Sequence, residues 1–199
     1  MLNLRKIAIT GGVASGKTTV CQFLRELGAY VVEADAIAHE LLDPTTDLGQ
    51  QIIRLLGLGI VKDGQISRRA IAQKVFHSKE LLEKLEALLH PAVLFRMNEI
   101  YSRVSREERA TLFVVEVPLL FEAKWEPLFD AVIAVESDEK SAKERFAQAG
   151  YPEDEYEKRM KRQISPSEKA KRAHYTIKNR GSLEDLRSQV FTLYQTLHQ

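Results

Sequence analysis

The chain has 199 residues, 44% of them hydrophobic and 29% charged, with one cysteine and a formal net charge of +1. That is enough chain to bury a core without staples, the lone Cys21 excludes an internal disulfide, and no apolar run approaches the ~20 residues that span a bilayer. These features suit one α/β domain with an insertion, or two small lobes, in a reducing, cytoplasmic setting. The apolar stretch Ile7-Ala8-Ile9 is too short for a signal-peptide core.

Residues 4–10 read as a strand that runs into glycines, and a helical pattern follows from about Lys17 to Leu27, ended by Gly28. Ala29 to Glu33 reads as a second strand, so the chain opens with a parallel βαβ unit. Residues 36–108 read as mostly helical. Leucines at 81, 82, 85, 88 and 89 recur at helical spacing, which is the mark of a core face. Lys62-Asp63-Gly64-Gln65 reads as a turn. His90-Pro91 is expected to interrupt the helical pattern, with Pro91 opening a new helix. Leu112 to Val117 and Asp130 to Val135 are continuous β-rich apolar runs, as strands buried on both faces require. Helices are expected around 139–149, 153–163 and 182–197, with a last short strand near Tyr175-Thr176-Ile177. The expected fold class is α/β, a parallel five-stranded sheet flanked by helices.

Charge is unevenly spread. Residues 139–180 hold twelve Lys/Arg against seven Asp/Glu, so the rest of the chain is net acidic. A basic segment suits phosphates, nucleic acid or an acidic membrane surface, and it equally suits a solvated helix face of mixed charge.

Gly11-Gly12-Val13-Ala14-Ser15-Gly16-Lys17-Thr18 fits G-x-x-x-x-G-K-[ST] at every fixed position, between a strand and a helix, and Thr19 follows. Glycines let such a loop turn its N–H groups toward phosphates. The helix start beside it favours an anion. Lys17 can reach the β- and γ-phosphates of ATP, and the Thr18 hydroxyl is placed to ligate Mg²⁺. The N-K-x-D string that reads guanine in GTPases is missing, since Ile177-Lys178-Asn179-Arg180 does not fit it. A short chain with a helical insertion and a basic late segment suits a small-molecule kinase.

Transfer to a hydroxyl benefits from a carboxylate that accepts its proton. Asp35 directly follows the second strand, at the sheet edge where ligands of open parallel sheets sit. From position alone it suits either that base or the cap of a helix starting near Ala36, and one carboxylate can serve both. Glu116, ending the third apolar run, suits a role in holding Mg²⁺ through water or orienting an acceptor, or is a solvated strand-end acid. Glu122 is the weaker candidate on position.

Several strings together resemble the dephospho-coenzyme A kinase family: Thr10 to Val20 across the loop, Glu33-Ala34-Asp35, Asp63-Gly64 with Arg68-Arg69 and Val75-Phe76, Leu85-Glu86 with His90-Pro91, Val117-Pro118-Leu119-Leu120-Phe121-Glu122, and the late Arg159, Gln163 and Asn179. The resemblance covers nearly the whole chain in order. It implies phosphorylation by ATP of the ribose 3′-hydroxyl of dephospho-coenzyme A, the last step of coenzyme A synthesis. It also implies a nucleotide-binding core over residues 1–44 and 109–199, a lid over about 140–170 and a helical acceptor-binding insertion over 45–108. Asp35 becomes the expected base. Arg69, His90 and Glu122 are expected near the acceptor, where a solvated helix charge at Arg69 and a helix-end hydrogen bond at His90 are the plainer readings. Neither nucleic acid nor membrane is an expected partner, and the chain is expected to be a monomer or a weak homo-oligomer.

The chain also departs from that family's pattern. Glu33 begins the string that the family starts with Asp, Ala14 stands where glycine is common, and His174 stands where the late A-D pair has its acid. Gln148-Ala149-Gly150 falls where the lid carries an arginine, a charge that glutamine lacks; either Arg145, Arg159 or Arg162 compensates, or turnover is slower. The rival readings are a nucleoside or nucleotide kinase with the same core, and a nucleotide-binding regulatory or RNA-binding protein without catalysis.

Overall fold

The structure, a computed structural model, describes residues 4–76 and 78–197. The chain divides into two compact units: one gathers the described residues up to Glu33 and from Val104 onward, the other is Ala34–Arg103.

The first unit is built on five parallel strands, β1 (Lys6–Gly11), β2 (Tyr30–Glu33), β5 (Phe113–Glu116), β6 (Ala131–Glu136) and β7 (Tyr175–Lys178), in the order β2-β5-β1-β6-β7. The middle strand, β1, is apolar on both sides because it is covered on both sides: Ile7, Ala8 and Ile9 are wholly buried. Helices α1 (Lys17–Glu26) and α9 (Leu183–Leu197) share one core with the sheet, in which Ile7, Ile9, Val20, Leu24, Ile133 and Val190 meet. The basic segment folds as α6 (Glu139–Gln148), α7 (Glu153–Met160) and α8 (Pro166–Arg172), and α8 packs against β1 and β6. Register puts Ile9 opposite Glu116 and Ile133, and Gly11 opposite Val135. The glycine loop therefore leaves the sheet at the carboxyl end of its central strand.

The second unit holds α2 (Ala34–Glu40), α3 (Asp47–Leu56), α4 (Arg68–Val75), most of α5 (Lys79–Glu107) and a two-stranded hairpin, β3 (Val61–Lys62) with β4 (Gln65–Ile66). Ile52, Leu56, Ile60, Ile66, Ile71 and Leu85 form its core. The expected turn at 62–65 is the hairpin's own. Asp63 and Gly64 both have positive φ, at 50° and 77°, the left-handed pair that a two-residue hairpin turn demands.

The expected break at His90-Pro91 does not occur. Helix α5 runs on through Pro91. Proline there removes one intrahelical donor, but Leu85, Val93 and Met97, at four- and eight-residue spacings on one stripe, are all buried. Burial of those three side chains outweighs one missing hydrogen bond. Helix α8 is also a separate element where the sequence suggested only lid. No helix among the described residues is long and apolar enough to cross a membrane.

Candidate active site

The loop after β1 is shaped by two glycines and held from outside. Gly11 has φ 150°, and a Cβ on it would run into the Val135 carbonyl oxygen of the next strand. Gly16, at φ 98°, is the N-cap of α1, and a Cβ there would meet the Asn179 amide. Ala14 adopts φ 50°, a left-handed conformation that costs a residue with a Cβ about 1–2 kcal/mol. So the place where glycine is common does require glycine-like geometry, and this chain imposes it on alanine.

Helix α1 has no side-chain cap and no acidic residue in its first turn. By contrast, α3, α4, α6 and α8 are capped by Thr46, Ser67, Asp138 and Ser165. The open positive end of α1 beside a glycine loop is the arrangement that receives a phosphate. Lys17 is only 8% exposed, and its ammonium donates to the carbonyl oxygens of Gly12 at 2.8 Å and Gly11 at 3.4 Å. Thr18 beside it is exposed, while Ser15 is buried with its hydroxyl unpaired. A cleft of about 310 Å³ is lined by Gly12, Val13 and Ser15 of the loop together with Ser137, Tyr156 and Pro166.

Around this cleft, α6 and α7 are laced together. Lys143 reaches Glu139 and Glu157, each at 2.7 Å, and those two hydrogen bonds, Glu139's first, hold its pKa above the ordinary lysine value. Tyr156, Phe146, Ala142 and the loop's own Val13 form a small buried cluster. Gln148, at the lid position, is exposed at the end of α6. Arg145 donates to Ala14, Ser137 and Asn179. Arg159 pairs with Glu155 at 2.6 Å and lies over the Tyr151 ring. Arg162 is exposed.

Of the predicted carboxylates, Glu116 is buried rather than solvated, at 9% exposure. Cys21 on α1 has its thiol pKa pushed well up, by burial first and then by the charge of Glu116. Glu33, opposite Glu116 in the β2–β5 register, pairs with Arg25 at 3.1 Å. Glu122 has one oxygen engaged by the Ile164 N–H at 2.7 Å and the Lys169 ammonium at 3.0 Å. Lys169 is wholly buried and also donates to Pro118 at 2.6 Å and Gln163 at 3.3 Å. Burial lowers its pKa, and Glu122 opposes that shift. His174, which stands where the resemblance would put an acid, accepts the Val132 N–H through Nδ1 at 3.1 Å.

Asp35, Arg69 and His90 belong to the second unit, on α2, α4 and α5. Asp35 is exposed and sits inside the first turn of α2, which begins at Ala34, so it is not that helix's cap. Arg69 is exposed in the first turn of α4. His90 is half-buried in mid-helix, with its pKa lowered by burial and partly restored by Glu86 one turn back. Sequence reasoning missed the outer grip of Arg145 on the loop and the Glu122–Lys169 node. Asn179 carried a signal through the late Arg159, Gln163, Asn179 pattern, and its amide donates to the Ser15 carbonyl at 2.9 Å.

A glycine loop closing on a buried lysine, at the carboxyl end of the central strand of a parallel sheet, defines a P-loop kinase. The family model for dephospho-CoA kinase matches residues 5–185, and the chain belongs to that family. It is 43% identical over 199 residues to the dephospho-CoA kinase of Protochlamydia amoebophila, covering 99% of this chain and 98% of that protein. Among solved structures, it superposes on a Thermus thermophilus protein with TM-score 0.85 and 34% identity, over 98% of both chains. It also matches the dephospho-CoA kinase of Campylobacter jejuni, with TM-score 0.62 and 26% identity, over 97% of both chains.

Proposed function

We propose that the protein transfers the γ-phosphoryl group of ATP to the ribose 3′-hydroxyl of dephospho-coenzyme A, giving coenzyme A and ADP. The observation that carries this reading is a family match over residues 5–185 joined to an uncapped α1 that begins at the buried Lys17. The loop N–H groups from Gly12 to Thr19 receive the phosphates. Lys17 exchanges its loop carbonyls for phosphate oxygens and neutralises charge as the group moves. The hydroxyl of Thr18, an exposed residue, would hold Mg²⁺, which when bound draws negative charge off the β- and γ-phosphates.

Asp35 accepts the 3′-hydroxyl proton as the acceptor oxygen bonds to the γ-phosphorus and the bond to the bridging oxygen breaks. Its exposure and its freedom from a capping role support that assignment. Arg69, His90, Glu116 and Glu122 complete the acceptor site in this reading. Residues 45–108 serve as the acceptor-binding insertion. The segment 140–170 serves as a lid that excludes water as a competing acceptor. The protein works in the cytoplasm, as a monomer or weak homo-oligomer.

The test is ADP release with Mg²⁺-ATP, with and without dephospho-coenzyme A, and the mass of the product. Acceptor-dependent ADP and a product heavier by one phosphoryl group at the 3′ position are expected. ATP binding without acceptor-dependent ADP would discard the assigned acceptor.

A further inference from the structure

Two consecutive carbonyls of the phosphate loop are gripped from outside by side chains far along the chain. The Arg145 guanidinium donates to the Ala14 carbonyl at 2.8 Å, and the Asn179 amide donates to the Ser15 carbonyl at 2.9 Å. The two grips are joined, because Arg145 also donates to the Asn179 carbonyl at 3.3 Å and to the Ser137 hydroxyl at 3.2 Å. Asn179 is in turn fixed by its own N–H to Glu136 at 2.7 Å. Every peptide bond in the described chain is trans, and a trans peptide points its N–H opposite to its C=O. Holding the Ala14 and Ser15 carbonyls on Arg145 and Asn179 therefore turns the N–H groups of Ser15 and Gly16 the other way, back across the loop, where the Ser15 N–H meets the Gly12 carbonyl at 3.4 Å until a ligand takes its place.

The grip also accounts for Ala14. A non-glycine residue at φ 50° persists only where its surroundings over-determine it. The carbonyl held by Arg145 belongs to that very residue. Lysine could not replace this fork, since one guanidinium spans Ala14, Ser137 and Asn179 at once.

We infer that Arg145 and Asn179 are positioning residues for nucleotide binding: they fix the left-handed turn at Ala14 and aim the loop N–H groups at the ATP phosphates. This rests on the loop's binding ATP, which titration of the unaltered protein with ATP alone establishes before any acceptor is added. Arg145→Lys should then weaken ATP binding by about tenfold or more and lower kcat/KM for ATP by up to about a hundredfold, while KM for the acceptor and the melting temperature move little.

The decisive measurement is a double-mutant cycle with Ala14→Gly, read as ATP affinity. Glycine needs no enforcement at positive φ, so Arg145→Lys should cost markedly less in the Ala14→Gly background than in Ala14. If Arg145→Lys leaves ATP affinity unchanged, or if its cost is the same in both backgrounds, the inference is overturned. Should Arg145→Lys fail to fold, Asn179→Ser, which removes the donor to Ser15, reads the same loop by the same titration. Unchanged ATP affinity in Asn179→Ser would likewise overturn it.

Discussion

Glu122 and Lys169 meet at 3.0 Å with the lysine wholly buried, and together they tie the segment after β5 to the joint between α7 and α8. Burial works against the ammonium, and Glu122 only partly offsets that. Removing one partner strands the other, which typically costs about 3–5 kcal/mol. Lys169→Met should therefore lower the urea midpoint strongly. Adding Glu122→Gln should restore part of the loss, because a neutral amide oxygen can still accept from Ile164. A double variant no more stable than Lys169→Met would show that the ion pair is not the seat of the effect.

Asp35 lies exposed in the first turn of α2. Asp35→Asn keeps its shape and removes its basicity. Turnover should fall by about 10²–10⁴-fold, while ATP affinity measured by titration stays near that of the unaltered protein. Wild-type turnover in Asp35→Asn would remove it as the base.

Lys17 lies buried against the loop, at the start of α1. Lys17→Ala should weaken ATP binding and turnover together, since the lost charge serves both. Steady-state kinetics varied in ATP check this, and unchanged constants would sink the loop assignment.

His174 accepts the Val132 N–H through Nδ1, so that nitrogen carries no proton. His174→Leu should cost about 1–3 kcal/mol by leaving the Val132 N–H unpaired. His174→Asp, which keeps an acceptor at that place, should cost less. Denaturation midpoints of the two variants, compared side by side, decide it.

His90 has its pKa lowered from the ordinary 6.5, by burial first, with Glu86 opposing. The sign follows directly: the folded chain binds the proton less readily than the unfolded chain. Its contribution is present above about pH 6.5 and is lost as pH falls from there through the lowered value. His90→Gln should lose less stability than the unaltered protein between pH 7 and pH 5, in urea melts at each pH.

The loop and the sheet were legible because their signals are local. A strand buried on both faces reads as a run of Val and Ile, and the spacing of Gly11, Gly16, Lys17 and Thr18 is fixed by eight residues in a row. What escaped was set by contacts between distant parts of the chain. Pro91 looked like a helix break because proline's cost is local, whereas the burial of Val93 and Met97 that outweighs it is not. Arg145 read as a spare lid charge, and its grip on Ala14 spans 131 residues. Glu122 stands in the Val117–Glu122 string, yet its partner Lys169 belongs to no motif. His174 is visible in the sequence as a departure, but its hydrogen bond to the Val132 N–H spans 42 residues and carries no local signal.

The strand order has a consequence for how this chain is made. β1 and β2 are separated by one helix in sequence, yet they are not neighbours in the sheet, because β5 lies between them. A ribosome that has released residues up to Thr111 has delivered two strands with no partner to join them. Both must wait, through the synthesis of α2 to α5, for Phe113–Glu116 to arrive and pair with each. Non-local pairing of this kind slows folding and leaves apolar strand edges open in the meantime. Chains truncated before Phe113 should accumulate as aggregates or chaperone clients, whereas truncation within α9 leaves the central pairing of the sheet available.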